Sequence, residues 1–121
     1  MSTVVIEPPP CALINANDRL HYQAKAKLTK AWREAAAGAI WVNPRVKPLH
    51  ESARVIVAVR FPTNHRRDVG NYYPTAKAIL DGLVDAGVLP DDNDQHVTGP
   101  DMRRDRPNGP LRVTVWIEAA A

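Results

Sequence analysis

Residues 111–118, LRVTVWIE, alternate strictly between apolar and polar side chains. Leu111, Val113, Val115 and Ile117 face one way. Arg112, Thr114, Trp116 and Glu118 face the other. Successive side chains of a strand point to opposite faces, so this segment presents one apolar face that another layer must cover. A second strand spans Ala53 to Phe61. Val55, Val57, Val59 and Phe61 share one face, while Ile56 and Ala58 lie on the other between Arg54 and Arg60. Both faces of that strand are therefore expected to be partly covered.

Two segments have helical spacing and can supply the covering layer. From Lys27 to about Val42, Leu28, Ala31, Trp32, Ala35, Ala36 and Ala39 recur at intervals of three and four, with Thr29 as an early cap and Asn43-Pro44 as a stop. A second helix is expected from Pro74 to about Ala86. Its apolar stripe is Ile79, Leu80, Leu83 and Val84, and Gly87 is placed to end it in a left-handed conformation. Val4 to Ile6 form a short strand stopped by Pro8-Pro9-Pro10, and residues 8–24 read as irregular. Val97 opens a weak strand signal before Gly99-Pro100. Residues 44–52 read as a loop and residues 103–110 as an exposed turn. The expected architecture is α+β, a single domain over residues 1–121, with one mixed or antiparallel β-sheet and two main helices packed on one face.

Several classes are disfavoured. One cysteine, Cys11, allows neither an internal disulfide nor a cysteine-based zinc cluster, and the four histidines show no ligand spacing. No apolar run is long enough for a membrane span. The N-terminal stretch lacks the basic-then-apolar layout of a secretory leader, so a cytoplasmic location is expected. Charge is unevenly spread. Residues 1–67 carry eleven Lys and Arg against four acids, net +7, and residues 68–121 carry five against nine, net −4. A basic half followed by concentrated aspartates suits a polyanion held beside a metal, and equally suits an ordinary solvated surface.

The chemistry concentrates in 64-NHRRDVGNYYPTAK-77 and 90-PDDND-94. Phosphodiester hydrolysis needs carboxylates to hold a divalent cation and cationic groups to offset charge on the phosphate. Asp68, Asp91 and Asp92, with Lys77, Arg66 and Arg67, have that composition. Plainer readings exist for the same residues. Lys77 and Asp81 are spaced for an i,i+4 ion pair, and Asp91 to Asp94 for a polar turn. Tyr72 and Tyr73 can stack on unpaired bases or pack the helix start. A straight helix of about 15 residues is roughly 22 Å long, so Asp68 and Asp92 can meet only if the flanking loops fold back. The spacing of a calcium-binding EF-hand is absent.

Arg66-Arg67-Asp68-Val69-Gly70-Asn71, followed by Lys77-Ala78, Asp81, Leu83, Ala86-Gly87-Val88 and Asp91-Asp92, resembles the RusA-like Holliday junction resolvases of bacteria and their phages. The motif covers residues 66–92, and the stretch from Pro8 to Arg19 resembles the start of that family. The resemblance implies a homodimeric, Mg²⁺-dependent endonuclease, with Mn²⁺ as substitute, that places paired nicks in branched DNA at four-way junctions. It implies Asp68, Lys77 and Asp92 as catalytic residues, with Asp68 and Asp92 as metal ligands and Asp91 sharing the metal. Arg66, Arg67, Asn71, Arg103 and Arg104 would contact DNA, Asn71 alternatively offering the metal a neutral oxygen. The pattern departs in one place. Gly70 stands where the family's second acid is expected, and the segment from Asp68 to Lys77 is about three residues longer. The missing acid implies weaker Mg²⁺ binding. A branched-DNA binder without catalysis and a small adaptor with plain surface charges remain the alternatives.

Overall fold

The computed structural model describes residues 2–9, 12–43 and 51–119. The elements run β1 (Ser2–Ile6), α1 (Tyr22–Trp41), β2 (Ala53–Arg60), a 3₁₀ turn (Val69–Tyr72), α2 (Tyr73–Asp85), β3 (Val97–Asp105) and β4 (Arg112–Ala119). The fold is the expected α+β type. Four strands form one mixed sheet in the order β1-β4-β2-β3. β4 is antiparallel to both β1 and β2, and β3 is parallel to β2. β1 and β2 therefore run the same way, and each following helix runs back against them. Both crossovers step across the sheet in one direction, so right-handed connections put both helices on one face. Their N-terminal ends lie at the end of the sheet where β1 and β2 finish.

The core is aliphatic. Val55, Val57 and Val59 of β2 and Val113, Val115 and Ile117 of β4 are buried beneath Trp32, Ala36 and Ile40 of α1 and Ile79 and Leu83 of α2. The opposite face of the sheet has no helix, yet Ala58 is only 1% exposed and Thr114 7%. Ala58 pairs with Thr114 on one side and Arg103 on the other, and Ile56 pairs with Trp116 and Asp101. Long neighbouring side chains cover the small residues, as the pattern in β2 predicts.

Three expectations need correction. α1 begins at Tyr22, five residues before the expected start at Lys27, with the His21 ring accepting from the Gln23 amide at 3.3 Å. Residues 22–27 are exposed, so no apolar stripe announces them; their Gln, Ala and Lys residues carry the helix by propensity. Thr29 is not a cap, since its hydroxyl donates to the Lys25 carbonyl at 2.9 Å within the helix. β3 continues through Asp105, so residues 103–105 belong to a strand rather than to a turn. They pair in parallel with Ala58, Val59 and Arg60. Charged side chains suit an edge strand, which needs protection against unwanted pairing. Most of the loop expected over 44–52 lies outside the described residues, as do Pro10 and Cys11. Among the described residues no helix is long and apolar enough to cross a membrane.

The helices touch most closely at Gly82. A Cβ there would lie 2.3 Å from the Arg33 carbonyl oxygen and 2.8 Å from the Ala36 Cβ. Beside this contact the Arg33 guanidinium donates to both Asp85 carboxylate oxygens, at 2.5 and 2.7 Å. This hydrogen-bonded pairing holds the Asp85 carboxyl below its ordinary value of 3.8, against a smaller opposing effect of burial.

Gly82→Ala is expected to lower stability by about 1–3 kcal/mol, the usual cost of overpacking. Gly38→Ala, in α1 where an added Cβ meets nothing within 4 Å, should raise it by about 0.5–1 kcal/mol. Urea unfolding of both variants checks the contrast. Asp85→Asn should cost at most about 1 kcal/mol at neutral pH, since both partners are partly exposed. The folded pKa of Asp85 is depressed, so its contribution is present above the unfolded value and fades as pH falls through the folded one. The difference between wild type and Asp85→Asn should therefore shrink progressively as unfolding is measured at pH values further below 3.8.

Candidate functional site

The loop after β2 is organised by arginines. Arg67 donates to the carbonyls of Thr63 and His65 at 3.0 and 3.3 Å and to the Thr63 hydroxyl at 2.8 Å. Arg104, reaching over from β3, donates to the same two carbonyls at 3.1 and 2.8 Å. Both guanidinium groups also lie over the Phe61 ring, 4.4 and 5.2 Å from its centroid. Arg106 donates to the Asn64 side-chain oxygen at 3.2 Å. Burial, reinforced by the charges of Arg106 and Arg67, pulls the Arg104 pKa below its ordinary value. Its Nε is buried without a partner.

Asp68 follows this loop directly. It caps the 3₁₀ turn, with Oδ1 accepting from the Gly70 amide at 3.0 Å. The Asn71 carbonyl accepts from the Ala16 amide at 2.7 Å, which joins the N-terminal loop to the turn. The same loop is pinned at Thr75, whose hydroxyl accepts from the Ile14 amide at 2.7 Å and donates to the Ile14 carbonyl at 3.0 Å. The Trp32 indole adds a bond to the Ala12 carbonyl at 2.9 Å.

The chain past α2 folds back, which the separation of Asp68 and Asp92 required. Gly87 takes φ +82, as its position predicts. Its amide bonds to the Val84 carbonyl and that of Val88 to the Leu83 carbonyl, closing the helix in a Schellman arrangement. Val88 and Leu89 are buried, which anchors the returning strand of chain. Asp92 thereby reaches Lys77, fifteen positions earlier. The Lys77 ammonium sits between Asp92 Oδ2 and Asp81 Oδ1, the latter at 3.0 Å. Asp81 was read only as a surface pairing partner. It is the third member of this cluster, and its i,i+4 spacing from Lys77 was the available signal.

Asp91 has a local task. Its carboxylate accepts from the Asp92 amide at 2.7 Å and from the Asn93 side chain at 3.4 Å. The polar-turn reading of residues 91–94 thus describes their backbone, while Asp92 reaches further. Asp68, Asp91 and Asp92 are not drawn together: among the described residues no three His, Cys, Asp or Glu side chains form a group able to hold an ion. The donors are all oxygens, a set that suits Mg²⁺ or Mn²⁺ chemically. The ammonium of Lys77 occupies the place between Asp81 and Asp92.

The four arginines expected to meet DNA are in different situations. Arg66 is exposed, with no hydrogen bond or ion pair among the described residues. Arg67 and Arg104 turn their edges to the loop. Arg103 alternates with Arg104 along β3, lies on the sheet face without helices and stands 3.9 Å from Asp101. Tyr73 is 46% exposed, whereas Tyr72 is half-buried with its ring centroid 5.3 Å from that of Phe61. The partnership of Phe61, Arg67 and Arg104 has no local sequence signature. No protein-family model and no curated protein sequence matches the chain.

Replacing Arg104 with Ala should loosen the loop at residues 62–67 and lower stability by about 1 kcal/mol, from lost cation–π and hydrogen-bonding contacts. Tryptic cleavage after Arg66, timed under native conditions, should become faster in that variant.

Proposed function

We propose that this protein is a RusA-like, Mg²⁺-dependent endonuclease that nicks four-way DNA junctions as a homodimer. The observation that carries the reading is the contact of Lys77 with Asp92. The resemblance names both as catalytic, and they meet only because the chain after α2 folds back against the helix. Asp68 stands beside the arginine-built loop at the start of the same helix.

In this reading Asp92 and Asp68 hold the ion, with Asp81 and Asp91 as nearby carboxylates. When bound there, a divalent cation would supply an activated water and offset charge on the scissile phosphate. Lys77 first orients Asp92 by their contact. Its ammonium then stabilises the charge that grows on the phosphate oxygens in the transition state. Arg66, exposed and without a hydrogen bond or ion pair among the described residues, grips a flanking phosphate. Two-fold symmetry of the dimer matches a substrate with two equivalent strands to cut.

Gly70 and the dispersed carboxylates favour one second reading, a branched-DNA binder with weakened catalysis. A side chain at position 70 would start 3.2 Å from Asp68 Oδ1, so an acid there would face the existing carboxylate.

The deciding assay incubates the protein with a synthetic four-arm junction, with and without Mg²⁺. Paired nicks that need the metal are expected, and Asp92→Asn and Lys77→Met should each reduce them at least about 100-fold. Nicking that survives Asp92→Asn removes that residue from the mechanism. If wild type binds the junction in a salt-sensitive way without nicking and Gly70→Asp gains activity, the second reading holds.

A further inference from the structure

A cleft of about 400 Å³ opens beside Phe61, where β1 and β2 end. Leu13 and Asn15 of the N-terminal loop, Arg67, Tyr72 and Leu111 line it, with Phe61 at its floor. Leu13, Tyr72 and Leu111 are each only half-buried, so apolar and aromatic surface remains open at the site. The nucleolytic reading takes Arg67 as a DNA contact but gives the cleft itself no occupant. It lies next in sequence to Asp68, within the segment that precedes α2.

We infer that this cleft receives one unpaired nucleobase of a DNA strand, stacked against Tyr72 and Leu111, with the attached phosphate drawn by the guanidinium groups around Phe61. The choice of a nucleotide over a neutral ligand rests on charge. Arg67 and Arg104 lie over Phe61 and Arg106 bonds Asn64 of the same loop, and none of the three has a carboxylate partner among the described residues. Burial, and after it the charges of Arg106 and Arg67, depress the Arg104 pKa. A phosphate relieves that surplus, and a flat base fits an aromatic and aliphatic wall irrespective of its sequence. Asp18 is the one carboxylate on the cleft, and with Asn15 it offers polar groups to the edge of the base. The cleft holds its shape without a ligand because the N-terminal loop is bonded to Asn71 and Thr75.

The choice of DNA as the source of the base rests on the proposed nuclease reading, and the test is kept separate from catalysis. Amide NMR spectra of the full chain are recorded without metal while a deoxynucleoside 5′-monophosphate, thymidine or inorganic phosphate is added. The monophosphate should move the resonances of Leu13, Asn15, Tyr72 and Leu111 together with those of Arg67 and Arg104. Tyr72→Ala should weaken this binding about five-fold or more, the loss of one base–aromatic stack. Leu111→Trp, which fills the space with an apolar group, should abolish it while leaving the thermal midpoint near that of wild type. The inference is overturned if inorganic phosphate reproduces every shift, if no ligand moves the cleft residues, or if Leu111→Trp binds as wild type does. Junction nicking with an empty cleft would leave the nuclease reading standing and this inference rejected. Nucleotide binding without nicking would do the reverse.

Discussion

The closeness of α1 and α2 at Gly82 is the constraint on which the other arrangements depend. The Arg33 carbonyl and the Ala36 methyl leave no room for a side chain there. Both helices are laid on one face by crossovers of the same hand, and small residues at their contact let them share the narrow width of a four-stranded sheet. That packing brings their N-terminal ends to the same edge of the fold. The loop after β1 can then cross both helices, bonding Ala12 to Trp32, Ile14 to Thr75 and Ala16 to Asn71. The cleft between that loop and the Phe61 segment is a product of this arrangement, as is the position of Asp68.

Arginine does two kinds of work at this edge. Arg67 and Arg104 spend their donors on backbone carbonyls and their faces on Phe61, so they shape the loop that carries Asp68. Arg66 is exposed and makes no such bond among the described residues. A guanidinium suits both tasks because it stacks on an aromatic ring while its edge donates in fixed directions. The resulting crowd of positive charge without carboxylate partners is costly in isolation. Such cost is understandable where a polyanion is expected to bind.

Lys77 holds a comparable double position. Between Asp81 and Asp92 it neutralises carboxylates that would otherwise repel each other across the fold-back loop. In a nuclease the same ammonium lies within reach of the developing phosphate charge. The Schellman closure at Gly87 and the burial of Val88 and Leu89 are the structural means by which Asp92 arrives there.

Much of the fold was legible from periodicity. Alternation in β2 and β4 and the stripes of both helices fixed the layers, because burial of a regular element leaves a local imprint on its own residues. Gly87 marked the end of α2 for an equally local reason, its left-handed backbone. The start of α1 and the extension of β3 were hidden, since exposed Lys, Gln, Arg and Asp residues carry no apolar rhythm. In the candidate site the sequence identified Lys77, Asp92 and Asp68 as residues of interest, together with the gap at Gly70. It could not reveal that Lys77 bridges Asp81 and Asp92, or that Arg67 and Arg104 close on Phe61. Those contacts join residues that only chain reversal and sheet pairing bring together, as with the hydrogen bond between Ile14 and Thr75 across 61 positions. Local pattern determines which elements form; which side chains then meet is decided by how the elements pack.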